Sequence, residues 1–334
     1  MAFAAEFPKH FFHYRYILSE AGCVTGMLLN VLIVVGICLV KKDVRKNYQL
    51  NVMLSTIVDI FYASMYALTL PGFSFENNLS VVITGPIALL NSPQLSFYSF
   101  LFYTISYNTY FYIQPISFFQ RYLVICKPRI SKYLNTIPCF VCFLIVTILY
   151  GSFPVYMITQ QVRPTANIYV NDARFDPILR ESHFLTYGAI NPNLAMARWI
   201  SIATFLISMI AIMVFSSGSI LFYLNKFAAS FSKRTLSGHR KLTAVLILQA
   251  IIPLIMCVTP LIFAMYLYYQ HQKIGNGNHK IMWYIMMVNS WQPVISATVT
   301  LVFVPPIKSA LIEIFINHKK DFKMSSVQVI SIRK

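Results

Sequence analysis

Chemistry in this chain has few side chains to draw on. Asp59 stands alone as a carboxylate deep inside a long apolar run, and Arg121 closes another such run. Arg121 sits in the string Phe119-Gln120-Arg121-Tyr122-Leu123-Val124-Ile125-Cys126-Lys127-Pro128. An acid in apolar surroundings is costly unless it is neutral or partnered, which makes Asp59 a functional candidate by default. An arginine at the end of an apolar run can lay its stem along the run and send its charge outward, or can serve as a contact point. All seven histidines (His10, His13, His183, His239, His271, His279, His318) lie outside the long apolar runs, in terminal or connecting segments. No nucleophile–base pair, phosphate-binding loop or metal-ligand spacing can be assembled, so catalysis, a metal and a cofactor are not expected.

The elements that must position these residues are helices in a lipid bilayer. A bilayer core takes about 20 mostly apolar helical residues to cross. The chain supplies that length seven times, over 17–40, 48–71, 96–119, 136–159, 199–224, 242–269 and 281–304, with Glu20 and Asp59 the only acids inside the runs. Hydrophobic residues make up 57% and charged residues 11%, proportions that exclude an ordinary soluble domain of this size. Basic residues fall unevenly between the gaps. With the N-terminus outside, segments 41–47, 120–135, 225–241 and 306–334 carry 19 Lys and Arg, against 8 for the outer segments 1–16, 72–95, 160–198 and 270–280. A bias of this kind sets orientation, so an extracellular N-terminus and cytosolic C-terminus are expected. The net charge of +17 is therefore assigned to anionic membrane lipid and acidic partner surfaces rather than to nucleic acid.

The chain reads as one domain over 1–334 without internal repeats. Residues 1–16 lack the charged and apolar regions of a cleavable signal, so the first span is expected to act as its own anchor. Asn78-Leu79-Ser80 is a glycosylation acceptor in an outer segment. The outer segment 160–198 is the longest and carries Arg163, Asp172, Arg174, Asp176, Arg180 and Glu181. It suits either a solvated loop or a lid over the bundle mouth. After Pro305-Pro306, apolar positions 307, 311, 312, 314, 315 and 316 suit a short amphipathic helix at the inner interface, with Lys308, Lys319 and Lys320 toward headgroups. Pro115, Pro253, Pro260 and Pro293 interrupt spans and predict bends, with a hinge in the sixth span, which carries two.

The 119–128 string resembles the E/D-R-Y motif and following I-C-x-P run of rhodopsin-like G-protein-coupled receptors. Asn30 and Asp59 match the characteristic polar positions of that family's first two helices. The resemblance implies that Arg121 contacts a heterotrimeric G protein, with Tyr122 beside it and Lys127 and Pro128 shaping the adjoining inner loop. It also implies a polar switch core in which Asp59 joins Asn30 and, from the seventh span, Asn289 and Ser290, flanked by Pro260 and Pro293. Several positions depart from the pattern. Gln120 replaces the acid before Arg121, the sixth span reads Cys257-Val258-Thr259-Pro260 without the usual tryptophan, and the seventh reads Gln292-Pro293-Val294-Ile295-Ser296 in place of N-P-x-x-Y. The disulfide between the third helix and second outer loop has no cysteines to form it. A hydrogen-bonded core is favoured over a sodium site. These departures, with the Gln249-to-Pro253 run and the ending Val304-Pro305-Pro306-Ile307-Lys308-Ser309-Ala310-Leu311, resemble the nematode serpentine chemoreceptors, nearest the Str superfamily and its class d.

The ligand must be read from the outer half. Tyr103 stands 18 residues before Arg121, where amine receptors carry a cation-binding aspartate, so a charged amine is not expected. Tyr103 and Tyr107 share a helix face, with Thr104 and Asn108 close by. Phe263 and Tyr266 from the sixth span and Trp283, Tyr284 and Met287 from the seventh complete an aromatic region suited to a small, largely uncharged organic molecule. The expected protein is a chemosensory G-protein-coupled receptor of the plasma membrane, placed by resemblance in sensory cilia. A ligand-gated channel of the insect odorant-receptor kind, which runs N-terminus inside, and a small-solute transporter are the alternatives.

Overall fold

The computed structural model describes residues 10–39, 49–74, 80–130, 162–165, 183–187, 192–227, 279–304 and 307–313. Isolated positions between 138 and 160 and between 247 and 262 are described as well. Helices α1 (Phe11–Leu39), α2 (Gln49–Thr69), α3 (Pro93–Cys126), α4 (Pro192–Lys226), α5 (His279–Asn289) and α6 (Gln292–Phe303) form the bundle. The fourth and sixth expected spans fall largely outside the described residues, as do Asn78, Pro253, Pro260, Phe263 and Tyr266. Among the described residues, four segments are helical, long and apolar enough to cross a membrane: Phe11–Leu39, Val52–Thr69, Leu206–Lys226 and Met282–Val302.

Helix ends follow local chemistry. Ser92 caps α3 by accepting from the Leu95 N–H, and Pro93 starts the helix where a missing N–H costs nothing. α3 runs 34 residues, about 51 Å at 1.5 Å per residue, and so extends well past the expected 96–119. α1 likewise begins at Phe11, ahead of the expected 17, and draws His13 and Arg15 into the helix. The seventh span is one run in sequence but two helices in space. Ser290 and Trp291 form a turn, and α6 restarts with Pro293 in its first turn. Proline has no N–H to continue the α5 ladder, so the break falls just ahead of it.

α1 packs on α2 and α6, α2 on α3, and α3 on α4. The α1–α6 approach depends on glycine. A Cβ on Gly26 would stand 2.8 Å from Pro293 Cβ, and one on Gly36 would stand 2.8 Å from Ile307 Cγ2. Small residues at such spacing let helices close without hydrophobic solvent forces, which lipid does not supply. Ile33, Ile37, Ala297, Val304 and Ile307 fill the seam below and seat the helical segment 307–313. Large apolar side chains such as Leu28, Val31, Ile207, Val214 and Phe222 point outward, as lipid-facing surfaces require.

To this bundle the structure adds a four-stranded antiparallel sheet, β1 (Pro71–Ser74), β2 (Ser80–Ile83), β3 (Val162–Thr165) and β4 (His183–Tyr187), in the order β1-β2-β4-β3. β2 pairs with β4, so segments 72–95 and 160–198 contribute to one sheet. Within segment 160–198 the described strands β3 and β4 join this sheet, and Leu185 is fully buried.

Candidate functional site

Polar residues in the middle of the bundle gather where α1, α2 and α6 meet. Asp59 is buried and its Oδ2 accepts a 2.9 Å hydrogen bond from Ser296 Oγ. Asn30 is also buried and donates to the Gly26 carbonyl at 2.9 Å and the Pro293 carbonyl at 3.5 Å. Its tie to Pro293 reaches a carbonyl just beyond the helix break. Asn289 and Ser290 are buried as well, and their side-chain contacts stay local, while the Ser290 carbonyl accepts from Cys23 Sγ of α1 at 3.9 Å. Asn289 Nδ2 lies 4.0 Å from Met286 Sδ, and Ser290 Oγ donates to the Met287 carbonyl at 2.6 Å. The structure thus pairs Asp59 with Ser296. The 292–296 string contains Ser296, yet only the packing of α6 reveals that its hydroxyl faces α2.

At the far end of α3, Gln120 and Arg121 are buried. Tyr122 packs at a tilt on Phe215 of α4 with ring centroids 5.7 Å apart. Ile125, Ile220 and Leu224 pack around that contact, and Cys126 Sγ lies 3.8 Å from the Ser219 carbonyl. Lys127 caps α3 through its N–H on the Leu123 carbonyl, and Lys127 and Pro128 are exposed beyond it. Arg121 is thus buried one turn and a half before the exposed end of α3.

The opposite half is dominated by tyrosine. Tyr103 and Tyr107 of α3 lie 5.9 Å apart, and Tyr62 of α2 lies 6.3 and 6.1 Å from them. Tyr66 meets Tyr103 edge-on at 5.6 Å, and its hydroxyl donates to the Met286 carbonyl. Thr104 is half-buried and bonded to the Phe100 carbonyl at 2.9 Å. Asn108 and Met287 are half-buried. Trp283 is fully buried in a separate contact, against Phe12 at 5.1 Å, while Tyr284 is 43% exposed and packs on Phe11. Tyr103 and Tyr107 therefore share one aromatic group, and Trp283 and Tyr284 face α1.

Sequence reading missed Arg15. It is 2% exposed, donates from Nη1 to Thr84 Oγ1 at 2.9 Å, and from Nη2 to the Leu70 and Pro71 carbonyls at 3.2 and 2.6 Å. Its guanidinium carbon lies 4.4 Å from the centre of the Trp283 ring, a cation–π distance. One signal was present. Arg15, Ser19, Gly22, Gly26 and Asn30 recur at helical spacing on the buried face of α1, so Arg15 is in phase with Asn30.

A family model for serpentine-type seven-transmembrane G-protein-coupled chemoreceptors of the Str type matches residues 15–312. The crystal structure of squid rhodopsin superimposes with a TM-score of 0.64 at 11% identity, covering 92% of this chain and 86% of that one, which is a likeness of fold. Comparison with curated proteins finds no match. Spanning nearly the whole bundle, the family match means that this chain belongs to the Str family of serpentine seven-transmembrane chemoreceptors.

Proposed function

We propose that the receptor sits in the plasma membrane with its N-terminus outside, binds a small uncharged organic molecule in its outer half, and activates a heterotrimeric G protein through the surface around Arg121. The observation that carries this reading is α3. The same helix holds Tyr103 and Tyr107 in the outer aromatic group and buried Arg121 at its inner end. From Tyr107 to Arg121 is about 21 Å along the axis. A ligand that binds one bundle arrangement better than another shifts the equilibrium by that difference in affinity.

Asp59, Asn30, Asn289 and Ser290 form the switch core in this reading, and the Asp59–Ser296 bond is its tie between α2 and α6. Pro260 and Pro293 are its hinge points. The 19 basic residues on the inner segments support the orientation and a preference for anionic lipid. An odorant or pheromone role in sensory cilia follows from the resemblance.

Arg121→Ala tests the assignment. In cells expressing the receptor with a G-protein reporter and screened against a chemically diverse odorant panel, the variant should reach the surface yet lose ligand-evoked signalling. An undiminished response from a well-expressed variant would falsify the coupling role. Antibody access to tags at both termini on intact cells tests the orientation, and an inside N-terminus would favour a channel.

A further inference from the structure

We propose that Glu20 binds the primary ammonium of a phosphatidylethanolamine headgroup, at the lipid-facing border between α1 and α2. Glu20 and Asp59 are the only acids in the apolar runs. Asp59 has its donor in Ser296, whereas Glu20 makes neither a hydrogen bond nor an ion pair among the described residues. An acid inside a span is costly without a partner, so its position asks for one.

Helical phase fixes where this carboxylate stands. Arg15, Ser19, Gly22, Gly26 and Asn30 form the buried face of α1, while Ile17, Val24 and Leu28 are exposed. Tyr16, Glu20 and Met27 are half-buried along the border between the two faces. Met27 fixes that border against α2, because Ser64 Oγ donates to its Sδ at 3.2 Å. The two helices run antiparallel, so the path of about 10 Å from Met27 back to Glu20 leads toward the last turn of α2, where Leu68 is exposed. Cys23, three residues further in, is fully buried and closes the border on the inner side. Tyr16, one turn outward, stands close enough for the charge of Glu20 to act on its phenol.

A glutamate that had simply turned out to water would expose both oxygens. In Glu20 the Oε1 atom is sealed and accepts nothing, so the charge must be met at Oε2, the oxygen left open. The residue lies about 4.5 Å inside the run that starts at 17, within reach of a headgroup at the interface. Arg15 does not supply the cation. It is five residues away, outside the neighbouring positions of a helix, and its Nη1 and Nη2 are bonded to Thr84, Leu70 and Pro71. Zwitterionic lipid offers two cations. Choline carries its charge without an N–H, whereas the ethanolamine ammonium carries three and can both neutralise the carboxylate and donate to it, the stronger form of hydrogen bond. Ile17, Val24 and Leu68 flank the site with apolar surface suited to the acyl chains.

The test uses the purified full-length receptor in nanodiscs of phosphatidylcholine containing graded amounts of phosphatidylethanolamine. Native mass spectrometry of the released receptor counts the lipids it retains. The unsubstituted receptor should keep one phosphatidylethanolamine that Glu20→Gln, equal in size but uncharged, holds about tenfold less tightly, the scale of one lost hydrogen bond to a charged group. Glu20→Asp withdraws the carboxylate by one methylene and should fall between the two, which keeps the test open if the glutamine variant fails to fold. Methylating the lipid nitrogen should weaken retention stepwise, with phosphatidylcholine lowest.

Equal retention by the receptor and both variants overturns the site. Phosphatidylcholine held as tightly as phosphatidylethanolamine overturns the role of the N–H donors. Cholesterol retained in its place through Glu20 overturns the proposal in favour of a hydroxyl lipid, and a doubled mass that Glu20→Gln abolishes does so in favour of a second copy of the chain. These readouts involve neither a chemosensory ligand nor a G protein, so a failed Arg121 experiment and a failed lipid experiment are separate results.

Discussion

Ser296 on α6 donates a 2.9 Å hydrogen bond to the carboxylate of Asp59 on α2, joining residues 237 positions apart in the chain. The bond matters because both groups are buried and Asp59 has no neighbouring cation in a described ion pair. A buried acid left without its donor bears the full cost of desolvation. The bond also crosses from the second helix to the half of the seventh span below the break, so it senses how α6 is rotated.

Ser296→Ala should therefore lower stability by about 1–3 kcal/mol, while Asp59→Asn, which keeps an acceptor for the hydroxyl, should cost less. The double variant should be less destabilised than the two single effects combined. Thermal unfolding of the purified receptor in detergent measures the cycle. A coupling below about 0.5 kcal/mol would mean that the two groups act independently.

Gly26→Val should separate α1 from α6. The new Cβ would meet Pro293 Cβ at 2.8 Å, and proline cannot rotate away. Overpacking of this kind costs about 1–3 kcal/mol. Surface expression should fall and the thermal midpoint should drop. The same substitution at Gly218, whose Cβ direction is open, should be tolerated at the packing level.

Tyr66→Phe removes the hydroxyl that donates to the Met286 carbonyl in the last turn before the Ser290–Trp291 break. The ring contact with Tyr103 would survive. A loss of about 1 kcal/mol is expected. Hydrogen exchange along 286–291 should speed up while α3 is unaffected. Uniform acceleration through the bundle would mean that the hydroxyl serves global stability instead.

Gln120→Glu introduces a carboxylate next to Arg121, where both residues are buried. On the proposed coupling role of Arg121, an ion pair there would hold the guanidinium and reduce basal G-protein activation. Reporter assays without added ligand, normalised to surface expression, measure it. Raised basal activity would mean that the new charge destabilises the closed inner face rather than locking it.

Legibility from sequence differed residue by residue. Asp59 could be singled out because a lone acid in an apolar run is visible without knowing its neighbours. Ser296 could not, because serines are common in spans and nothing local says which one faces an acid on another helix. Apolar run length starts the first helix at 17 and leaves Arg15 outside it, whereas the helix begins at Phe11. Only the phase of Arg15 with Asn30 hinted otherwise. The aromatic residues showed the same limit. Their concentration in the outer half is plain from the chain, yet Tyr103 packs with α2 while Trp283 packs with α1.

What the chain determined by itself is the class of object: apolar runs long enough for lipid, broken by basic gaps, with an arginine string at the end of the third. Those properties are sums over neighbouring residues, so they survive without a fold. The tertiary structure decided the pairings. Asp59 meets Ser296 because α6, which starts after the turn at Ser290 and Trp291, presents that hydroxyl to α2. Arg15 is buried because the hairpin segment from Leu70 to Thr84 and the Trp283 ring of α5 close around its guanidinium. Strand pairing across loops and helix rotation depend on distant partners, and no short stretch of sequence carries that information.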